Sequence, residues 1–198
     1  MAKDNRYNII QTLGEGIQGI TYLVNDNSLP DDDSNVFVLK SIECPDINYA
    51  NKLFRQLIQL TTKSHKNIAQ PLDVYVSWTG QECSVHVNVL YNYYPSTLEK
   101  IFEDSDSSEQ KEKLRDSKQL HQWVGQLLEA LLYANQNDFG HYNLKPANIY
   151  FDENDTLLIG DFGLPALLSD IETRTRTTDG RLYKITELEY LYRVIDEP

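Results

Sequence analysis

The chain has 198 residues, 40% hydrophobic and 11% aromatic, enough to bury a core in one domain or two closely packed lobes. Its formal net charge of −12 opposes nucleic acid and anionic membrane surfaces, because non-specific binding to either comes from Lys and Arg neutralising phosphates. No run approaches the roughly 18 apolar residues of a spanning helix, and Met1–Arg6 lacks the apolar stretch of a signal peptide, so a soluble protein of the cytoplasm or nucleus is expected.

In chain order, Tyr7 to Leu90 carries short runs rich in Val, Ile and Tyr, which predict a small sheet, with one helical stretch from about Asn51 to Thr62. Asp31-Asp32-Asp33-Ser34-Asn35 has turn residues and like charges without periodicity, and reads as an exposed loop between strands. Cys44 and Cys83 form no C-x-x-C pair and no metal-ligand spacing with the four histidines, so they read as reduced thiols. Glu103 to Lys118, dense in Asp, Ser, Glu and Lys, reads as a solvated connector. After it, Leu120, Trp123, Val124, Leu127, Leu128, Leu131 and Leu132 recur at steps of three and four, predicting an amphipathic helix that buries them on one wide face.

Gly14-Glu15-Gly16-Ile17-Gln18-Gly19 fits G-x-G-x-x-G, where absent side chains let backbone N–H groups approach phosphates. Three glycines also fit a plain hairpin. A dinucleotide fold needs the third Gly to open a helix, whereas Ile20-Thr21-Tyr22-Leu23-Val24 continues as a strand. About twenty residues later, Lys40 lies inside the apolar run Val36 to Ile42. His141-Tyr142-Asn143-Leu144-Lys145-Pro146-Ala147-Asn148-Ile149 follows, and then Gly160-Asp161-Phe162-Gly163-Leu164.

Together these segments resemble the glycine loop, V-A-I-K strand, H-R-D-L-K-P-x-N catalytic loop and D-F-G motif of protein kinases, in that family's order. Val89-Leu90-Tyr91-Asn92-Tyr93 matches the hinge, and His65-Lys66-Asn67-Ile68 the family's H-P-N-I. Lys145 to Asp152 with Ile159 to Leu164 is similar to NimA-related kinases and to the kinases of a translation initiation factor. The resemblance implies an α+β, protein-kinase-like two-lobe fold: a β-rich N-lobe with one C-helix over residues 1–92, and a truncated, mostly helical C-lobe over 93–198.

It also implies ATP and Mg²⁺ as cofactors. Gly14, Gly16, Gly19, Thr21, Val38, Lys40, Tyr91, Tyr93 and Tyr150 would contact the nucleotide, Asn148 and Asp161 would hold magnesium, and Lys145 would serve the catalytic loop. Asn143 stands where the family has the Asp that accepts the substrate hydroxyl's proton, and an uncharged amide is a negligible proton acceptor. Gln56 stands where a helix Glu pairs with the strand Lys, and Tyr142 replaces an Arg that grips a phosphorylated activation loop, for which Thr173, Thr175, Thr177 and Thr178 are the candidate sites. Val38 and Tyr150 add volume around the expected base position.

Glu189 to Val194 lies near the A-P-E position without matching it, and the helices that follow in a kinase domain do not appear before Pro198. The expectation is an uncovered apolar patch on the Leu120–Leu132 helix, with low stability alone or a protein partner covering the truncated C-lobe. The function expected is a pseudokinase scaffold or allosteric regulator that binds Mg·ATP. The alternative is an active or weakly active Ser/Thr kinase that transfers the ATP γ-phosphate to a protein substrate.

Overall fold

The computed structural model describes residues 6–16, 19–29, 35–79, 84–103, 109–141 and 143–162. The glycine-hairpin tip Ile17–Gln18, most of the acidic 31–35 loop, Cys83, Tyr142, Gly163, Leu164, the threonines at 173–178 and the 189–194 segment lie outside the described residues. The chain divides into two compact units, Met1–Ser64 with Ala69–Tyr93, and His65–Ile68 with Tyr94–Pro198.

The first unit is an antiparallel sheet built from the β-branched and aromatic runs. Its strands are β1 (Tyr7–Gly16), β2 (Gly19–Asp26), β3 (Val36–Cys44), β4 (Asp73–Thr79) and β5 (Ser84–Asn92), in the order β1-β2-β3-β5-β4. Alternation sends Tyr7, Val24, Leu39 and Leu90 into one cluster, with Tyr22, Phe37 and Tyr75 packed on it. The helix α1 runs Ile47–Leu60, four residues earlier than the apolar pattern predicts. Asp46 after Pro45 is an N-cap whose carboxylate accepts from the Tyr49 N–H at 2.8 Å, and so starts the helix ahead of its apolar stripe of Ala50, Leu53 and Leu57.

A charged latch closes the end of the β1–β2 ladder, where Tyr7 pairs with Asp26. Arg6 Nε and Nη2 donate to Asp26 Oδ2 at 2.9 and 2.7 Å, and Ser28 adds its N–H and Oγ to Oδ1 at 2.9 and 2.6 Å. These donors stabilise the ionised carboxylate, and the Arg6 guanidinium foremost draws the Asp26 pKa down to about 2.

The second unit carries α2 (Leu98–Glu103), α3 (Glu109–Arg115), α4 (Ser117–Gln136) and a three-stranded sheet of β6 (Ser96–Thr97), β7 (Ile149–Phe151) and β8 (Leu157–Ile159), ordered β6-β7-β8. Trp123, Ala130, Ala134, Ile101, Phe151, Ile159 and Phe162 form its core. The Trp123 ring meets Phe151 at 4.6 Å, and its Nε1 donates to the Asp155 carbonyl at 2.8 Å. Gln126 Oε1 accepts from the Leu157 N–H at 2.9 Å, tying α4 to β8.

Two expectations are corrected here. The connector from Glu103 to Lys118 is not wholly irregular: it contains α3, whose Leu114 packs on the core and whose Lys113 bonds Asp155 at 2.7 Å. The apolar face of α4 is not buried as one wide face either, and an uncovered patch of the kind also expected on this helix is present. Trp123 is buried and Leu127 and Leu131 pack on the core, but Leu120, Val124, Leu128 and Leu132 are exposed, Leu132 by 57%. Spaced by four, these form the flank of a stripe too wide for the sheet that covers its other side.

The latch predicts a measurable pH dependence. Replacing Asp26 by Asn should lower stability by about 1 kcal/mol near neutrality, less than the full pKa displacement implies because the Arg6 side chain is 41% exposed. Since the folded pKa lies below the unfolded one, this advantage is full above about pH 4 and is lost as pH falls towards about 2. Urea midpoints of the two proteins should therefore converge across that window.

Candidate functional site

In the first unit the glycine segment is a hairpin, with Gly16 opposite Gly19 and Gly14 opposite Thr21. Gly19 has φ 102°, and a Cβ there would strike the Ser41 carbonyl oxygen, so both backbone and space require glycine. Gly14 faces open space. Directly opposed residues in an antiparallel sheet share a face, as do residues two apart on one strand. Thr21, Lys40 and Val89 form one such row, and Leu23, Val38 and Tyr91 the row two residues along. Register therefore collects Gly14, Gly16, Gly19, Thr21, Val38, Lys40 and Tyr91 on one face, from positions up to 77 apart in sequence. Lys40 is buried in β3, Tyr93 lies exposed just past β5, and Gln56 is half-buried on α1.

In the second unit the loop before β7 is organised around His141, which is fully buried with its ring edge-on to Phe162 at 4.7 Å. The Asn143 N–H donates to His141 Nδ1 at 3.2 Å, which places the neutral ring's proton on Nε2. His65-Lys66-Asn67 repeats the arrangement, with the Asn67 N–H on His65 Nδ1 at 3.1 Å. Its Asn67 Nδ2 donates to the Leu157 carbonyl at 2.8 Å, and the Asn67 carbonyl accepts from the Ile159 N–H at 2.9 Å. Sequence spacing gave no hint that this short segment belongs with the second unit.

Lys145 is exposed and precedes a 3₁₀ turn, Pro146–Asn148, which Pro146 opens with its φ already set. Asn148 is buried, and its Nδ2 donates to the Asn143 carbonyl at 2.9 Å, leaving Oδ1 as the side-chain oxygen able to face a cation. The Gly160 N–H donates to the Asn148 carbonyl at 2.9 Å, which brings Asp161 alongside. Asp161 holds the left-handed φ of 60°, a conformation Asp tolerates better than most residues. Among the described residues no group of three or more His, Cys, Asp and Glu gathers. An amide and one carboxylate suit a hard cation that takes its remaining oxygens from phosphates and water, as magnesium does.

Tyr150, on β7, is the site residue with the least expected setting. Its ring lies 5.8 Å from that of Tyr94 and fills the space beside Gly160, a contact that the sequence reading missed. The signal was a large aromatic at 150 together with a glycine immediately before Asp161. Burial foremost, and then the Asp161 charge, push the Tyr150 phenol up, so it stays protonated.

A glycine hairpin and a buried strand lysine in one unit, with an H-x-N turn, a buried Asn and a left-handed Asp in the other, define a kinase-like α+β fold. The chain belongs to the protein kinase domain family, whose model matches residues 7–187. It is similar to cyclin-dependent kinase-like 1 of Caenorhabditis elegans, 24% identical over 93% of this chain and 48% of that protein. It is likewise similar to the serine/threonine-protein kinase PrkC of Bacillus subtilis, 24% identical over 91% of this chain and 26% of that protein, and to cyclin-dependent kinase 20 of Danio rerio, 24% identical over 98% and 53%. The chain thus spans about half the length of most curated relatives it matches. No described helix is long and apolar enough to cross a membrane.

Burial holds the His141 pKa down at about 4, with the Asp161 charge opposing only in part. The folded pKa is below the unfolded value of 6.5, so the contribution is full above that value and is lost as pH falls towards about 4. Replacing His141 by Gln should flatten the pH dependence of the urea midpoint within this window, where the natural chain is expected to lose about 2 kcal/mol or more.

Proposed function

We propose that this kinase domain binds Mg·ATP but is impaired in phosphoryl transfer, and acts as a scaffold or allosteric regulator of a partner protein. The observation that carries the reading is Asn143: the loop around it keeps its hydrogen bonds to His141 and Asn148, while the side chain offered to a substrate hydroxyl is an amide. A positioned base contributes roughly 10²- to 10⁴-fold, and an amide oxygen accepts a hydrogen bond without taking the proton. What the loop retains is positioning.

In this reading residues 1–92, apart from the His65–Ile68 segment, form the phosphate-clamping lobe and 93–198 the metal-binding lobe. Lys40 neutralises phosphate charge, the hairpin of Gly14, Gly16 and Gly19 exposes backbone N–H groups to phosphate oxygens, and the residues offered to the base are Thr21, Val38, Tyr91 and Tyr93 in the first unit and Tyr150 in the second. Asn148 Oδ1 and the Asp161 carboxylate orient magnesium, which supplies charge neutralisation on the phosphates when bound. Gln56 stands where the family has a glutamate and offers a neutral hydrogen bond in place of an ion pair, which weakens the arrangement that transfer requires. The net charge of −12 makes a protein, rather than a nucleic acid or an anionic lipid surface, the partner class.

Nucleotide binding is read by thermal unfolding. At about a hundred times its Kd, a ligand confined to the folded state adds roughly 2.7 kcal/mol, so a magnesium-dependent rise of several degrees is expected, smaller or absent in Lys40→Ala. No rise at millimolar Mg·ATP would refute the nucleotide reading.

Transfer is read by Asn143→Asp. If the chain is a scaffold, with Gln56 also limiting, phosphorylation of a generic acceptor protein stays at background in both forms. A gain of about tenfold or more on restoring the carboxylate would instead establish a kinase limited only by its base.

A further inference from the structure

Gly160 has no backbone reason to be glycine. Among the described glycines only Gly19 has positive φ, and Gly160 sits in ordinary backbone directly after β8. Its reason is steric. A Cβ at 160 would penetrate the Tyr150 ring at Cε2 and crowd Cδ2 and Cζ at 3.2 and 3.3 Å. All three nearest atoms belong to that one ring, so no other residue type at 160 is compatible with the ring where it lies.

The ring is held there from several sides. Tyr150 pairs with Leu158 on β8 and with Thr97 on β6, which fixes its backbone in the middle of the small sheet. Tyr94 packs against the ring at 5.8 Å with its plane tilted by 37°. The phenol is desolvated as well. A large aromatic and an absent side chain thus meet across one strand ladder, in a close-packed site where one excess methyl group has consequences.

We propose that Tyr150 and Gly160 are a matched pair that sets how the second unit contacts the nucleotide base: the missing side chain at 160 receives the edge of the Tyr150 ring and holds its bulk out of the volume that the base needs. The proposal rests on the nucleotide reading above. It makes the base contact an aromatic one, offered by Tyr150 and buttressed by Tyr94, and therefore suited to a planar purine ring. The Tyr150 ring takes up the space that a side chain at 160 would otherwise fill.

Four versions of the 198-residue chain test this: the natural one, Gly160→Ala, Tyr150→Leu and the double variant. Each is titrated with Mg·ATP by calorimetry and unfolded in urea without nucleotide. Gly160→Ala should weaken Mg·ATP binding by about tenfold to a hundredfold and lower the urea midpoint. The double variant should recover both, binding within about threefold of Tyr150→Leu alone, because the leucine vacates the space that the new methyl group needs. If Gly160→Ala fails to fold, the double variant carries the test, and its folding and binding are the supporting result.

Binding by the natural chain that is unchanged in Gly160→Ala, or a double variant no better than Gly160→Ala, overturns the pairing while leaving the nucleotide reading intact. A natural chain that binds no Mg·ATP overturns that reading and the pocket role together. The urea midpoints then show the pair as a packing contact only.

Discussion

The second unit's site depends on the short β7–β8 ladder and the two hydrogen bonds that extend it beyond the strands. Ile149 pairs with Ile159, and one residue further the Gly160 N–H reaches the Asn148 carbonyl at 2.9 Å. Asn148 then hands its own amide nitrogen to the Asn143 carbonyl at 2.9 Å. Each bond contributes only about 0.5–1.5 kcal/mol net. Their geometric effect is larger, because in three steps they link Asn143, the buried amide of Asn148 and the backbone leading into the left-handed aspartate.

Beneath this clasp lies an apolar floor that fixes its orientation. His141 is buried neutral against Phe162, Phe162 meets Phe139 at 5.7 Å, and Phe139 meets Tyr133 on α4 at 6.1 Å. His65 stacks on the same Tyr133 at 5.0 Å. The two H-x-N turns, far apart in sequence, therefore converge through aromatic contacts on one helix. Replacing aspartate by asparagine at 143 disturbs none of this, because the bonds that build the loop come from the backbone of residue 143. The hydrogen bonds that shape the loop are thus independent of the charge carried at position 143.

In the first unit the constraint is register. A slip of one residue between β2 and β3 would put Thr21 on the face opposite Lys40 and Val38 and dismantle the row assembled by the hairpin. Bulges between Ile9 and Gln11 and between Thr12 and Gly14 adjust β1, and the Arg6–Asp26 latch anchors its far end. The collision awaiting any side chain at Gly19 explains why the hairpin keeps glycine where β2 begins.

Residue identity alone fixed the family, the strand-rich first unit, the helix at α4 and the residue types at the candidate site, because these follow from local periodicity and from motifs whose members lie within nine residues of one another. It did not reveal which flank of α4 would be covered, since periodicity defines an apolar arc and not what packs against it. Nor did it reveal the helix inside the polar 103–118 segment, where Lys113 is secured by Asp155 some forty residues away and Leu114 packs on the core. The attachment of His65–Ile68 to β8 and the fit of Tyr150 against Gly160 belonged to tertiary structure alone. Both are contacts between segments distant in sequence or across a ladder, where hydrogen-bond direction and excluded volume decide, and neither quantity is encoded in a run of neighbouring residues.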